Sequence, residues 1–370
     1  MPQALTDDTR AVAALLRAPG DLLTPAPGEW RMLVDAAQAE GVLPLLASRA
    51  ASRRWHPGFA AALRPGAAAN AALELVRHRE GRRLFSAFAA AGVAPILLKG
   101  GHLAYSVYDS PELRPRADTD LLVRDDEFGP VRRALGAAGY APVPHVTGEV
   151  AFGQFQYSRT DGSGARHTID LHRRIANPLA FAARLTYEEL CDEAVALPAL
   201  APNARGPALW RALILACVHR TAHHGTSSRL IWLYDIHLLA ARLKDRQWDC
   251  VVDAAAAKGL APVVAAGLTD TVDAFGTILP PDLIARLTGH GAAADPDVIA
   301  FLDRPPTLLR VAASDWRRLR SWRARARFLR EHLFPAPSYI RHRYGVRSAA
   351  ALPFLYAHRI VFGLFEKLTR

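Results

Sequence analysis

"LLKGGHLAYSVYDSPELRPRADTDLLV", residues 97–123, is the stretch on which the reading of this chain turns. An apolar run leads into Gly100-Gly101. Two aspartates, Asp118 and Asp120, then sit one residue apart at the mouth of a second apolar run, Leu121-Leu122-Val123. In a strand, residues i and i+2 share a face, so Asp118 and Asp120 project together while Thr119 points away. Like charges placed side by side where a strand enters a core call for an explanation.

On either side of it, "VAPILLK" reads as a buried strand, "GGHLAYSVY" as a short helix opening at the glycines, and "TDLLVR" as the next strand. "DDEFGPVRRALGAAGY" is a predicted helix, with Asp125 or Asp126 as its N-cap and Gly139 as its stop. "VAFGQFQYSR" alternates like a strand, "DGSG" is a turn, and "ARHTIDLHRR" should pair back. On that last strand Ile169 and Leu171 face one side, and Thr168, Asp170 and His172 the other.

If the two aspartate-bearing strands are neighbours, Asp118, Asp120 and Asp170 converge. At an effective dielectric near 20 and separations of ~6 Å, each pair repels by roughly 3 kcal/mol. Such a cluster needs protons or cations, and Mg²⁺ favours a few carboxylates together with substrate phosphate oxygens. The alternative is three strand-end aspartates solvated separately. The pairing of D-x-D with a strand-interior Asp170 beside a glycine turn favours the metal. Gly100 and Gly101 can present free backbone N–H groups to a phosphate at a helix N-terminus, or can simply make a tight turn. Lys99 and Arg114 add positive charge nearby, or are plain surface charge.

Three zones flank and include this unit. Residues 1–90 show helical spacing in "TRAVAALLRAPG", "EWRMLVDAAQAEGVLPLLASRAASRR" and "ANAALELVRHREGRRLFSAFAAAGV". Residues 91–200 form the mixed α/β unit, and residues 201–370 are helical again. At 370 residues the chain is long enough for several subdomains. No apolar run reaches membrane-spanning length, since "ALPFLYAHRIVFGLF" is interrupted by His358 and Arg359. The polar start "MPQALTDDTR" does not read as a signal peptide. Cys191, Cys217 and Cys250 lie far apart without metal-ligand or disulfide spacing, so a reducing cytoplasm is expected.

The net charge is +11, and residues 304–330 carry nine arginines against one acid, Asp315. That run reads as a solvated helix face rather than a nucleic-acid groove, and nucleic acid is not an expected partner. "HRTAHH" places His219 and His223 four apart on one helix face, followed by Asp235 and His237. A zinc site is one reading, but no Glu follows His219 as in the zincin pattern. A hydrogen-bonded polar cluster, with Arg229 and Trp232 lining an acceptor pocket, is the expectation.

The sequence resembles the nucleotidyltransferase superfamily of the DNA polymerase β type, and more narrowly the bacterial family described as uncharacterised nucleotidyltransferases. The residues that carry the resemblance are Leu98-Lys99-Gly100, Tyr105 and Tyr108, Arg114, Asp118 to Val123, and Asp170-Leu171-His172. The later "SRLIWLYDIHLL" and "LPFLYAHRI" look like that family's helical portion, and the resemblance extends over most of the chain beyond about residue 80. Gly-Gly stands where the broader superfamily has Gly-Ser, and 17 positions separate Gly101 from Asp118.

The resemblance implies an α+β fold: a small mixed-sheet nucleotidyltransferase core flanked by N-terminal helices and a larger C-terminal helical domain. It implies in-line transfer of a nucleoside monophosphate from an NTP, expected to be ATP, to the hydroxyl of a small molecule, peptide or protein. Two Mg²⁺ or Mn²⁺ ions would serve the reaction. Asp118 and Asp120 would bridge both ions, and Asp170 would bind the catalytic one. Lys99, Gly100, Gly101 and Arg114 would hold the nucleotide. His172, His219, His223, Arg229 and Asp235 would line the acceptor pocket. A catalytically silent nucleotide-binding or nucleic-acid-binding module of the same fold is the alternative.

Overall fold

The computed structural model describes residues 5–17, 25–52, 55–144, 148, 150, 152–225, 229–291, 295–303 and 307–368. Arg53, Arg54, Ala151 and Ser228, at the ends of predicted elements, and Arg304 of the arginine run lie outside them.

Four helices come first: α1 (Asp7–Arg17), α2 (Trp30–Ala39), α3 (Leu43–Ser52) and the long α4 (Pro57–Ala90). The continuous helical spacing of "EWRMLVDAAQAEGVLPLLASRAASRR" is broken between α2 and α3 at Gly41, whose φ of +74° is the left-handed conformation glycine adopts without strain. Helix α4 starts a dozen residues earlier than its apolar spacing suggests, because Pro57 occupies its first position and His56 Nδ1 accepts from Gly58 N at 3.0 Å.

The α+β unit follows as β1 (Ile96–Leu97), α5 (Lys99–Ser106), β2 (Thr119–Leu122), α6 (Phe128–Ala137), β3 (Ala141–Pro142), β4 (Gln154–Thr160) and β5 (Arg166–His172). The sheet order is β1-β2-β5-β4-β3. Only β2 and β5 run parallel; the other neighbours are antiparallel, which makes the sheet mixed. The predicted hairpin is present, with Asp161 Oδ1 accepting from the backbone of Ser163 and Ala165 to shape the "DGSG" turn. Gly139 ends the α6 segment at φ +85°, as expected. The N-cap of α6 is instead Glu127, without a side-chain bond. Asp125 and Asp126 are engaged elsewhere, by Arg173 at 2.7 Å and Arg124 at 3.0 Å.

Short elements α7 (Leu179–Ala182), α8 (Tyr187–Cys191), β6 (Val195–Ala196) and β7 (Arg205–Gly206) lead to the second helical region. It comprises α9 (Leu209–His224), α10 (Leu230–Arg242), α11 (Asp245–Ala257), α12 (Ala261–Phe275), α13 (Leu283–Gly289), α14 (Pro296–Asp303), α15 (Leu308–Arg318), α16 (Trp322–Leu333), α17 (Pro337–Tyr344) and α18 (Leu352–Leu368). The architecture is α+β, as expected.

Two cores organise it. Leu121, Val123, Ile169 and Leu171 from one sheet face pack with Leu84, Phe85 and Phe88 of α4 and Val131 and Leu135 of α6. The other core joins residues of α1 to α4 with residues of α9 to α14. Glu40 ties these two helical regions together: its carboxylate accepts from Leu230 N at 2.7 Å, one of the otherwise unpaired donors at the start of α10.

Candidate active site

Strands β2 and β5 set the site. Their parallel register places Asp120 opposite Asp170 and Leu122 opposite His172. Leu121, Ile169 and Leu171 turn into the core beneath the sheet, so the alternation sends Asp120, Asp170 and His172 to the opposite face. All three are buried, and among the described residues they form the one group of three ligand-capable side chains whose donor atoms lie within 4.8 Å of one another. Asp118 is outside that group. The residue borders a cavity with Arg77, Tyr105, Arg116, Arg166 and His167.

Asp120 is the best-partnered member. Lys99 Nζ donates to its Oδ1 at 2.7 Å, and His172 Nε2 lies 2.8 Å from the same oxygen. Burial raises the Asp120 carboxyl, but Lys99 and His172 outweigh it and hold the group well below the ordinary carboxylate range. Asp170 accepts from the amides of Gln156, at 3.1 Å, and Gln154. Burial, followed by repulsion from Asp120 and Asp170, pushes Asp118 up to about 7.

Lys99 occupies an unusual backbone position, with φ +50°, in the left-handed region that costs an L-residue roughly 1–2 kcal/mol. It begins α5, and its side chain reaches back to β2. The glycines after it are closely packed: a Cβ on Gly101 would come within 2.9 Å of the Leu97 side-chain end, and one on Gly100 within 3.1 Å of the Arg114 guanidinium carbon.

Arg114 is committed to an internal partner. Its Nε and Nη2 donate to the two carboxylate oxygens of Asp235 at 2.8 and 2.7 Å, and Tyr108 Oη donates to Asp235 at 2.7 Å. This buried bidentate pair fastens the α+β unit to α10.

Helix α9 faces the carboxylates. Burial, then the charge of Lys99, pushes His219 well below its ordinary value and His223 down to about 3, so both imidazoles are neutral. Their ring centroids are 5.3 Å apart, and the pair belongs to no group of three possible ligands among the described residues. His219 and Asp235 line a second, partly open cavity with Lys99, His102, Arg114 and Trp232. His223 stands beside it. Arg229 is exposed, its guanidinium lying 5.4 Å from the Trp232 ring centroid, and is not in the lining. His172 as a partner of Asp120 and His102 as a cavity residue were not anticipated in those roles; the period-2 pattern of "TIDLH" already placed His172 on the carboxylate face.

A mixed sheet thus carries paired carboxylates on adjacent strands, beside a Lys-Gly-Gly helix start and a flanking helical region. The chain belongs to the family of uncharacterised nucleotidyltransferases, whose model matches residues 26–276. The match takes in the N-terminal helices from α2 onward and ends after α12, so "LPFLYAHRI" at residues 352–360 falls outside it. No curated protein matches the sequence.

Proposed function

We propose that this protein transfers a nucleoside monophosphate from an NTP to an acceptor hydroxyl, with pyrophosphate leaving, in a reaction that depends on Mg²⁺ or Mn²⁺. The observation that carries this reading is the buried triad of Asp120, Asp170 and His172, held in register on two parallel strands beside Lys99. The donor set suits a hard divalent cation: two carboxylates, with an imidazole that orients one of them. Lys99 already supplies a positive charge at Asp120 Oδ1, which marks that oxygen as a cation-accepting position.

A divalent ion bound there would supply Lewis-acid polarisation of the phosphoryl oxygens. Asp120 and Asp170 would hold it, and Asp118 would add a third carboxylate to the local field. Lys99, with the Gly100-Gly101 helix start, balances phosphate charge. Neutral His219 and His223 close the site from α9 and offer uncharged hydrogen-bonding groups to an acceptor. Arg114 and Asp235 fix α10 against the α+β unit rather than touching the nucleotide. ATP is the NTP we expect.

The test is calorimetric titration of Mg-NTP beside a turnover assay. Asp170→Asn keeps size and hydrogen bonding but removes charge. It should bind Mg-NTP within a few fold of wild type while transfer falls at least ~10²-fold. Wild-type turnover by Asp170→Asn would make that carboxylate a bystander and remove the basis of the reading.

A further inference from the structure

The net positive charge of this chain is confined to its C-terminal end. Residues 307–370 hold fourteen Lys and Arg against three Asp and Glu, a net charge of +11 that equals the charge of the whole chain. Residues 1–306 are therefore neutral overall. The segment also lies beyond the family match, which ends at residue 276.

The acids of α15 and α16 are turned inward. Asp315 is buried and accepts from Leu179 N at 2.7 Å, and Glu331 is buried and accepts from Val150 N at 3.1 Å. Most arginines of α15, α16 and α17 are exposed. Arg317 and Arg318 pair with Asp295 and Asp297 of the preceding segment and Arg327 with Glu331, while Arg310, Arg320, Arg323, Arg330, Arg341 and Arg343 are exposed and keep the outward surface cationic.

Apolar side chains share that surface. Nine of the thirteen large apolar residues exposed among the described residues fall within this segment. On α16, Trp322, Leu329 and Leu333 recur at i, i+7 and i+11, which puts them on one stripe of the helix, and they are 74%, 44% and 36% exposed. Phe328 and Glu331 occupy the buried side. The helix therefore presents an apolar stripe to solvent, with Arg323 and Arg330 exposed beside it. Helix α18 repeats the pattern with Phe354, Val361 and Phe362, and the contact of Phe334 with Tyr356, 5.7 Å between centroids, makes the end of α16 continuous with α18.

We infer that the face formed by α16 and α18 docks on an anionic lipid bilayer surface. Arginines meet the headgroup charge while the Trp322 and Phe354 stripes enter the interface; the combination of apolar stripe and flanking cations is the interfacial-helix pattern. A purely electrostatic partner would leave the apolar stripes unexplained. No described helix is long and apolar enough to cross a membrane, so the contact is with the surface. This inference is independent of the transfer reaction.

The test is sedimentation of the full chain with vesicles of phosphatidylcholine alone, with vesicles of phosphatidylcholine mixed with phosphatidylglycerol, and, in parallel, filter binding to a single-stranded RNA homopolymer. Binding should require the anionic lipid and weaken with salt. Both Trp322 and Phe354 are exposed, so Trp322→Ala/Phe354→Ala should keep the wild-type circular dichroism and lose affinity at least about tenfold. Absence of binding to anionic vesicles at low salt would overturn the inference. So would binding indifferent to the double substitution, or binding to RNA without binding to vesicles.

Discussion

Lys99 Nζ and His172 Nε2 meet at a single oxygen, Oδ1 of Asp120, at 2.7 and 2.8 Å. A buried carboxylate with two partners at one oxygen is stabilised only while at least one of them supplies charge. In Lys99→Met the stem remains and the charge is lost. Breaking a buried pair in this way costs about 3 kcal/mol or more. Added Mn²⁺ should recover part of that loss, because a divalent ion restores positive charge at Asp120. Thermal unfolding of wild type and Lys99→Met, each with and without Mn²⁺, checks this. A larger Mn²⁺ shift in the variant than in wild type is expected; equal shifts would separate Lys99 from the metal position.

The Arg114–Asp235 pair predicts a stability phenotype. Both side chains are buried and share two hydrogen bonds. Asp235→Ala strands the guanidinium and should destabilise by about 3–5 kcal/mol, and Arg114→Ala by a similar amount. The double substitution should cost less than the sum of the two, since the second change removes a group already orphaned. Urea denaturation of the four proteins measures the coupling, and strict additivity would show that the pair does not act as a unit.

How far the sequence disclosed this arrangement depended on distance along the chain. The β4–β5 hairpin was legible from "DGSG" between alternating runs, and the face shared by Asp170 and His172 followed from strand periodicity. The break at Gly41 was hidden because apolar spacing runs through it. Arg114 and Asp235 are 121 residues apart, and nothing local in either segment signals a partner. The approach of His219 and His223 to Lys99 is likewise tertiary. It depends on α9 packing across α5, which helical periodicity alone cannot specify. Asp118 precedes the first paired residue of β2, Thr119, so the ladder does not hold it, and it falls outside the compact group of Asp120, Asp170 and His172.

His102 predicts a pH dependence of stability. It is buried at 1% exposure, its Nε2 has no hydrogen-bond partner, and burial pushes its pKa down to about 3. The unfolded chain takes up this proton near pH 6.5. Between those values the unfolded state binds more protons than the folded one, so this residue's share of stability falls as pH drops below about 6.5. The slope is about 1.4 kcal/mol per pH unit for one proton. His102→Gln, which cannot titrate, should show a shallower acid limb in denaturation series from about pH 6.5 to about pH 5, inside that window. An unchanged limb would assign the acid sensitivity to other groups.

In nucleotidyl transfer it is the α-phosphoryl group that moves. The direct measurement incubates the protein, Mg²⁺ and a cell extract with NTP labelled either at the α-phosphate or at the γ-phosphate, and follows label into acceptor. Nucleotidyl transfer predicts that the α label is incorporated, that the γ label appears only in pyrophosphate, and that Asp120→Asn and Asp170→Asn abolish incorporation. Label entering acceptor from the γ-phosphate, or α incorporation undiminished in both variants, would rule out nucleotidyl transfer at this site.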